Sequence, residues 1–222
     1  MERFKIIYGI TSIEYKGDLS VTILSNLEDL VNNRANEQDL QRELKKDLYL
    51  LAKPYASSTQ RDEYICFSEL PVGTTGEVDF AVFTGRSSMD IYLIEVKGAD
   101  FNLVKNPTEK GATFNAKFLE GIDQIIRRRQ YALSNDLLYR KEVHDLRELV
   151  QAGTQKYNSL LCNQKYLEVD RTKPINVYGV VIGGRHNPEI KHIEDEKRKA
   201  WRDAIGFPIL LESWDSWLKK VR

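Results

Sequence analysis

Two apolar segments decide the fold, residues 77–83 (EVDFAVF) and residues 91–97 (IYLIEVK). Aromatic and β-branched residues dominate both, and such residues favour extended strands. The Gly85-Arg86-Ser87-Ser88 stretch between them has a length suited to a hairpin turn. Because both faces of each segment are largely apolar, the pattern predicts paired strands in the buried centre of a sheet.

Three charged residues interrupt these apolar strands. Asp79 lies in the first, and Glu95 and Lys97 lie in the second, on one face and about 7 Å apart along the strand. Isolated buried charges cost several kcal/mol each, so something must compensate them. A divalent cation does so, because carboxylate oxygens are ligands that Mg²⁺ and Mn²⁺ prefer. Two alternatives remain: a buried structural ion pair, or strand ends that face solvent.

The surrounding pattern predicts a mixed sheet flanked by helices, of the α/β or α+β class. The predicted strands are residues 2–15 (one or two strands), 64–70, 77–84, 91–98, 175–183 and 207–212. The predicted helices are residues 18–33, 36–52 (closed by Pro54), 113–151 (broken near Ser134-Asn135), 194–205, and a terminal helix that carries Trp214 and Trp217. Residues 1–35 are expected to form an added layer of strands and a helix, and residues 36–222 the main domain.

Composition gives weaker guidance. The chain has 222 residues with 33 basic and 33 acidic side chains, so charge alone does not favour nucleic-acid binding. There is no apolar run of the roughly 20 residues that a membrane span needs. Cys66 and Cys162 are expected to be buried reduced thiols, which suits a cytoplasmic protein. The three histidines are expected at the surface, and the tryptophans in the core or at a subunit contact.

The Asp79 and Glu95-x-Lys97 signature, set between helices, resembles that of the PD-(D/E)xK nuclease superfamily, with Val78 at the position of the usual proline. A narrower resemblance is to the nuclease domain of Shedu anti-phage defence proteins. It is carried by residues 36–44 (NEQDLQREL), 76–80 (GEVDF) and 94–98 (IEVKG), by Gln124, and by Ser213-Trp214-Asp215.

The resemblance implies a restriction-endonuclease-like fold and a cytoplasmic, homo-oligomeric endonuclease that cuts double-stranded DNA. It implies that Asp79, Glu95 and Glu37 hold Mg²⁺, for which Mn²⁺ substitutes, with no organic cofactor and no membrane partner. Glu43 is a rival for Glu37. Lys97 is expected to orient or help deprotonate the attacking water and to stabilise the negative charge on the phosphate. Alternatives are a junction resolvase or repair nuclease, or a DNA-binding or assembly module whose cleavage is lost or regulated.

The helix after the core strands carries a polar stripe. At 100° per residue, Lys117, Arg128 and Tyr131 fall within about 40° of Gln124, on the side away from the apolar face. Gln124 stands where the superfamily often carries a glutamine near its active site. We therefore predict that Gln124 belongs to the site and that Lys117, Arg127, Arg128 and Tyr131 contact DNA phosphates, against the alternative of a solvated helix face.

Overall fold

The computed structural model describes residues 20–56, 63–106, 108 and 111–222. The strands predicted at residues 2–15 and the start of the helix predicted at 18–33 lie outside these residues. The strands are β1 (Tyr64–Pro71), β2 (Glu77–Thr84), β3 (Asp90–Val96), β4 (Val104–Lys105), β5 (Thr113–Phe114), β6 (Leu160–Leu161), β7 (Asn176–Ile182) and β8 (Ile209–Glu212).

The helices of the described residues surround these strands. They are α1 (residues 20–32), α2 (Glu37–Leu44), α3 (Tyr49–Tyr55), α4 (Ala116–Ser134), α5 (Asp136–Gln151), α6 (Lys191–Ile205) and α7 (Trp214–Val221). No helix in the described ranges is both long and apolar enough to cross a bilayer.

One mixed sheet, in the order β6-β1-β2-β3-β7-β8, forms the centre of the fold. The β1–β2 and β2–β3 pairs are antiparallel, as expected for hairpins, whereas β7 and β8 add in parallel. One core contains residues of α4 and α5, and the second contains residues of α1, α2, α3 and α7. This α+β arrangement confirms the predicted fold class, with β3 in the middle of the sheet.

The helix predicted over residues 36–52 is instead two helices, α2 and α3. Hydrogen bonds of the tighter i→i+3 type, from Lys46 N to Glu43 O and from Asp47 N to Leu44 O, end α2. The Asp47 carboxylate then accepts a bond from Tyr49 N, which competes with continued helix. Pro54 does not close α3, because it lies inside the last turn, which runs to Tyr55.

Other predictions had mixed outcomes. The break in the long helical region is confirmed, because α4 ends at Ser134 and α5 begins at Asp136. Cys66 and Cys162 are buried free thiols, as expected. His144 was wrongly placed at the surface: it is fully buried on the inner face of α5, since that face packs into the core.

Candidate active site

Glu95 lies next to the last residue of β3 and Lys97 directly follows the strand. Both are almost fully buried, at 3% and 5% exposure. The Lys97 ammonium donates to Glu95 Oε1 at 3.1 Å and lies 3.5 Å from Glu37 Oε2. The side chains of Glu95 and Lys97 are therefore on one face, as the period of two predicts, and Glu37 from α2 joins them.

Glu37 reaches this place because the first turn of α2 packs against the backbone after β3. Asn36 caps α2 by accepting from Asp39 N, and Ala99 N donates to Ala35 O at 2.9 Å. A β-carbon on Gly98 would lie 3.2 Å from Glu37 N and 2.4 Å from Asp100 Oδ1, so glycine permits this close approach. The sequence folds α2 onto the end of β3 through this contact.

Asp79 joins the site from β2. Regular β2–β3 pairing ends at Phe80 and Ile94, one residue short of Asp79 and Glu95. Asp79 Oδ2 accepts a hydrogen bond from Val96 N at 2.8 Å. A side-chain carboxylate is therefore the acceptor here, where a backbone carbonyl of the neighbouring strand is the acceptor elsewhere in the sheet. The two strands are thus held together by a side chain at the point where their charged residues meet.

Arg128 of α4 completes the site, and this corrects its predicted place on a DNA-facing stripe. The side chain is 7% exposed, and Nη1 donates to Glu95 Oε2 at 2.8 Å while Nη2 donates to Glu77 O. The polar stripe exists, but this part of it points inward because Glu95 offers a counter-charge there. We call Glu37, Asp79, Glu95, Lys97 and Arg128 the carboxylate cluster.

Gln124 lies one turn before Arg128 on α4, between it and Gly121. A β-carbon on Gly121 would lie 3.3 Å from Lys97 Cε, so this face of α4 packs on the carboxylate cluster. Gln124 Oε1 is buried and has no hydrogen-bond partner among the described residues. A buried acceptor of this kind is costly unless something outside the chain donates to it or binds it.

The other stripe residues lie apart from the cluster. Lys117 is exposed and pairs with Asp100 at 2.5 Å, and Arg127 is exposed and lies 3.6 Å from Asp123. The Tyr131 ring packs against Gly73 in the β1–β2 turn. Lys117 and Arg127 therefore keep the exposure that a phosphate contact needs, whereas Arg128 does not.

The protonation equilibria of the cluster are shifted in one direction. Burial, reinforced by the neighbouring Asp79, raises the pKa of Glu95 to about 7, and burial also raises the pKa of Asp79 and of Glu37. Burial alone would lower the pKa of Lys97, but the carboxylates of Glu95 and Glu37 outweigh it and raise that pKa. Lys97 therefore stays protonated at neutral pH, beside carboxylates that carry more negative charge than their surroundings favour.

Glu43 lies elsewhere. Its carboxylate accepts from Asn26 Nδ2 at 3.0 Å and from Lys46 Nζ at 2.5 Å. Burial would raise the pKa of Glu43, but the hydrogen bonds from Lys46 and Asn26 outweigh it and lower the pKa. Of the two rival glutamates, the structure brings Glu37 to Lys97 and gives Glu43 partners that satisfy it.

The donor set suits a hard divalent cation. It consists of three carboxylates with raised pKa values, and the face of α4 that packs on Lys97 also carries the unpartnered oxygen of Gln124. Within the described ranges no three Asp, Glu, His or Cys side chains form a ready metal site. The Lys97 ammonium contacts both Glu95 and Glu37, so a bound cation would share these carboxylates with Lys97. The residues that could hold a cation are Asp79, Glu95 and Glu37.

One supporting contact was not anticipated from the sequence. The indole Nε1 of Trp214, the first residue of α7, donates to Lys97 O at 2.8 Å. Trp214 and Trp217 are fully buried in the second core, which confirms the core as the first of the two places expected for them. The sequence does show a tryptophan at the start of an amphipathic helix, which indicates a buried indole. It does not show the acceptor of the indole N–H, because Lys97 is 117 residues away.

Fold and site together define an α+β domain with a buried carboxylate–lysine cluster where β2, β3 and α2 meet. A family model described as Shedu protein SduA, C-terminal, matches residues 34–216, which is most of the chain. The chain therefore belongs to the Shedu family, which confirms the resemblance of its motifs to Shedu proteins. Family membership points to anti-phage defence. No curated protein matches the chain.

Proposed function

We propose that this protein is a divalent-cation-dependent endonuclease of the PD-(D/E)xK kind that hydrolyses phosphodiester bonds of double-stranded DNA in anti-phage defence. The observation that carries the proposal is the convergence of Lys97, Glu95, Glu37 and Asp79 from three separate elements into one cluster, in which Glu95 and Lys97 are almost fully buried. Isolated structural ion pairs rarely gather surplus carboxylates in this way, because each adds a desolvation cost.

Asp79, Glu95 and Glu37 would hold Mg²⁺, with Mn²⁺ as a substitute. When bound, such a cation supplies Lewis-acid chemistry at the scissile phosphate and a source of hydroxide at neutral pH. The three carboxylates contribute negative charge that water does not fully solvate, as their raised pKa values indicate. This surplus favours cation binding and, with it, the ionised form of each carboxylate.

Lys97 supplies positive charge to the reaction. Because its pKa is raised, Lys97 remains an ammonium at neutral pH and is not available as a neutral amine to take a proton from water. Its expected roles are therefore to orient the water and to stabilise negative charge. Its position between Glu95 and Glu37 fixes the ammonium without a covalent constraint. Negative charge that develops on the phosphorane oxygens would be stabilised by this preorganised donor.

Gln124 and Glu37 have supporting roles in this proposal. Gln124 Oε1 can accept a hydrogen bond from the attacking water, since it is an acceptor with no partner among the described residues. Glu37 is the more exposed carboxylate, at 39% for its side chain. It is therefore placed to meet both a cation and the solvent from which the water comes.

A second function has its own supporting observation. Both oxygens of Glu95 are engaged, one by Lys97 and one by Arg128, as in a closed structural ion network. This favours a DNA-binding or assembly module that uses a nuclease fold with cleavage lost or held in check. A junction resolvase or repair nuclease would share the proposed chemistry and differ in the DNA that it selects.

Cleavage assays distinguish these functions. Supercoiled plasmid, linear duplex and four-way junction DNA are each incubated with Mg²⁺, Mn²⁺ or EDTA. We expect cleavage of plasmid and duplex with either cation, none in EDTA, and none by Asp79→Ala or Lys97→Ala. The matched control is Asp90→Ala, a carboxylate at the other end of β3. Binding without cleavage would favour the assembly module, selective junction cutting the resolvase, and cutting in EDTA would exclude the cation.

Glu37 and Glu43 form a matched pair on one helix. We expect Glu37→Gln to lower the cleavage rate about tenfold or more, the loss of roughly 1.4 kcal/mol of transition-state stabilisation. Glu43→Gln should leave the rate near that of the wild type and lower the melting temperature, because it weakens the bonds to Asn26 and Lys46. Normal cleavage by Glu37→Gln would remove that residue from the site.

The proposed homo-oligomer rests on the family resemblance and is tested by light scattering. Trp214 and Trp217 are buried, so an interface would use other side chains. The exposed apolar residues of the described surface include Leu133, Leu137 and Leu138, which lie together at the junction of α4 and α5. A monomer mass at micromolar concentration would contradict the oligomer.

A further inference from the structure

Arg128 has no part in the chemistry proposed above, yet it is built into the site. Nη1 donates to Glu95 Oε2 at 2.8 Å, and Nη2 donates to the carbonyl of Glu77, two residues before Asp79 on β2. One side chain of α4 therefore ties β2 to the charged residue of β3. The side chain is 7% exposed, so solvent does little to screen its charge.

The guanidinium also fixes the direction in which Glu95 points. Lys97 holds Oε1 and Arg128 holds Oε2, so donors from two elements grip the carboxylate. The planar fork of arginine can bind Glu95 and the Glu77 carbonyl at once, which a lysine ammonium matches poorly in geometry. Glu95 is thereby oriented relative to Asp79, with which it interacts electrostatically.

Charge balance gives Arg128 a second effect. With every group ionised, the carboxylate cluster has three negative and two positive side chains, which leaves one net negative charge. Without Arg128 the net charge would be two negative, the value that one divalent cation neutralises. Arg128 therefore opposes cation binding, while a DNA phosphate entering the site would restore the missing negative charge.

We propose that Arg128 is a positioning residue and a fixed counter-ion of the carboxylate cluster. Its guanidinium orients Glu95 for catalysis and weakens the binding of a divalent cation to the DNA-free protein. The role rests on the proposed cation-dependent function of the same site. It differs from a purely structural ion pair because it predicts opposite effects on cation affinity and on cleavage.

The test measures both quantities on the full chain. Mn²⁺ affinity is measured by titration calorimetry without DNA, and cleavage of linear duplex is measured at saturating Mn²⁺. We expect Arg128→Met to bind Mn²⁺ on the order of tenfold more tightly, because a positive charge a few ångströms away has been removed. Its cleavage rate should fall on the order of tenfold, because Glu95 has lost its orienting partner.

Three further variants separate the causes. Arg128→Lys keeps the charge and loses the fork, so we expect wild-type Mn²⁺ affinity with partly restored cleavage. Arg128→Gln lacks the charge but retains a donor, and it must show the same tighter binding if Arg128→Met does not fold. Arg202→Met on α6 is the control, since Arg202 is exposed and its Nε donates to Arg198 O of the same helix; neither quantity should change in it.

Two results would overturn the role. Equal or weaker Mn²⁺ binding by both uncharged variants, with binding intact in the wild type, would overturn the counter-ion role alone and leave the nuclease proposal standing. No Mn²⁺ binding by the wild type or the variants would overturn the proposed cation dependence and this role together.

Discussion

Two ion clusters lie at the ends of neighbouring parallel strands, and they behave in opposite ways. After β7, Arg185 donates to Asp215, and His186 N donates to the same carboxylate at 2.7 Å. Burial would raise the pKa of Asp215, but Arg185 and the His186 amide outweigh it and lower the pKa. After β3, the pKa values of Asp79 and Glu95 are raised.

The direction of the pKa shift distinguishes a buried ion pair that stabilises the fold from one that belongs to a functional site. We call the Arg185–Asp215 pair the support pair. It stabilises the ionised form of the Asp215 carboxylate more than water does, as its lowered pKa indicates. The carboxylate cluster keeps negative charge at a cost, a pattern that is typical of catalytic and binding sites. Substitutions should therefore cost activity in the carboxylate cluster and stability at the support pair.

The largest expected effect is on cleavage by Glu95→Gln. We expect the rate to fall by about 10²–10³-fold, or roughly 2.7–4 kcal/mol of barrier, because the ionised carboxylate is lost. The pKa of Glu95 is raised to about 7, so ionising it costs stability as the pH rises from about 4.5 towards 7. Glutamine mimics the protonated form, and at pH 8 the variant should melt at the wild-type temperature or higher. A clearly lower melting temperature would make Glu95 a structural residue.

The support pair should respond in the reverse sense. Asp215→Asn removes a charged acceptor of bonds from Arg185 and from His186 N, which should cost about 1.5–3 kcal/mol in urea unfolding. Cleavage per folded molecule should remain within about twofold of the wild type. Asp195→Asn is the control, because Asp195 is mostly exposed and lies 3.5 Å from Arg198. A loss of cleavage in Asp215→Asn without a loss of stability would contradict the assignment of the support pair to stability.

His144 is a third buried polar group, without a hydrogen-bond partner for either ring nitrogen among the described residues. Burial, and then the positive charges of Arg147 and Arg171, lower its pKa. The unfolded chain therefore binds a proton at His144 more readily than the folded protein does. As the pH falls through about 6.5, proton uptake by the unfolded chain lowers the free energy of unfolding. The slope that His144 adds approaches about 1.4 kcal/mol per pH unit at most.

Urea unfolding of the wild type and His144→Leu between pH 7.5 and pH 5 measures this slope. We expect the stability of the variant to fall less steeply with acid, because leucine takes up no proton. The exposed His192→Leu is the control and should follow the wild type. Parallel curves for His144→Leu and the wild type would refute a buried, neutral histidine.

The smallest effect concerns DNA phosphates, for which Lys117 and Arg127 remain candidates. In an Asp79→Ala background, Lys117→Ala should reduce the slope of log affinity against log salt by about one unit at most, equally for two unrelated duplexes. Lys117 already pairs with Asp100, so the change in affinity should be small. Lys219→Ala on α7 is the control. Loss for one duplex alone would assign base reading to Lys117.

Local periodicity predicted the part of the site that lies on strands. Glu95 and Lys97 share a face because alternation is a property of the backbone, and β2 was predicted with its observed bounds. Periodicity could not choose between Glu37 and Glu43. That choice depends on the packing of α2 against Gly98, a contact between residues far apart in sequence.

Packing also explains the predictions that failed. Helical geometry placed Arg128 beside Gln124 correctly, but a polar stripe can point to solvent or to a buried counter-charge. The partner that decides between them, Glu95, is 33 residues away. His144 stands among charged residues in the sequence, and its burial follows from how α5 packs on the core.

The bond from Trp214 to the Lys97 carbonyl has a consequence for timing during synthesis. A ribosome adds 117 residues between these two positions, which takes on the order of ten seconds at typical elongation rates. Throughout that interval the nascent chain already carries Glu37, Asp79, Glu95 and Lys97 but lacks the indole that anchors the lysine backbone. We therefore expect the carboxylate cluster to reach its final geometry only after α7 has been synthesised and has packed.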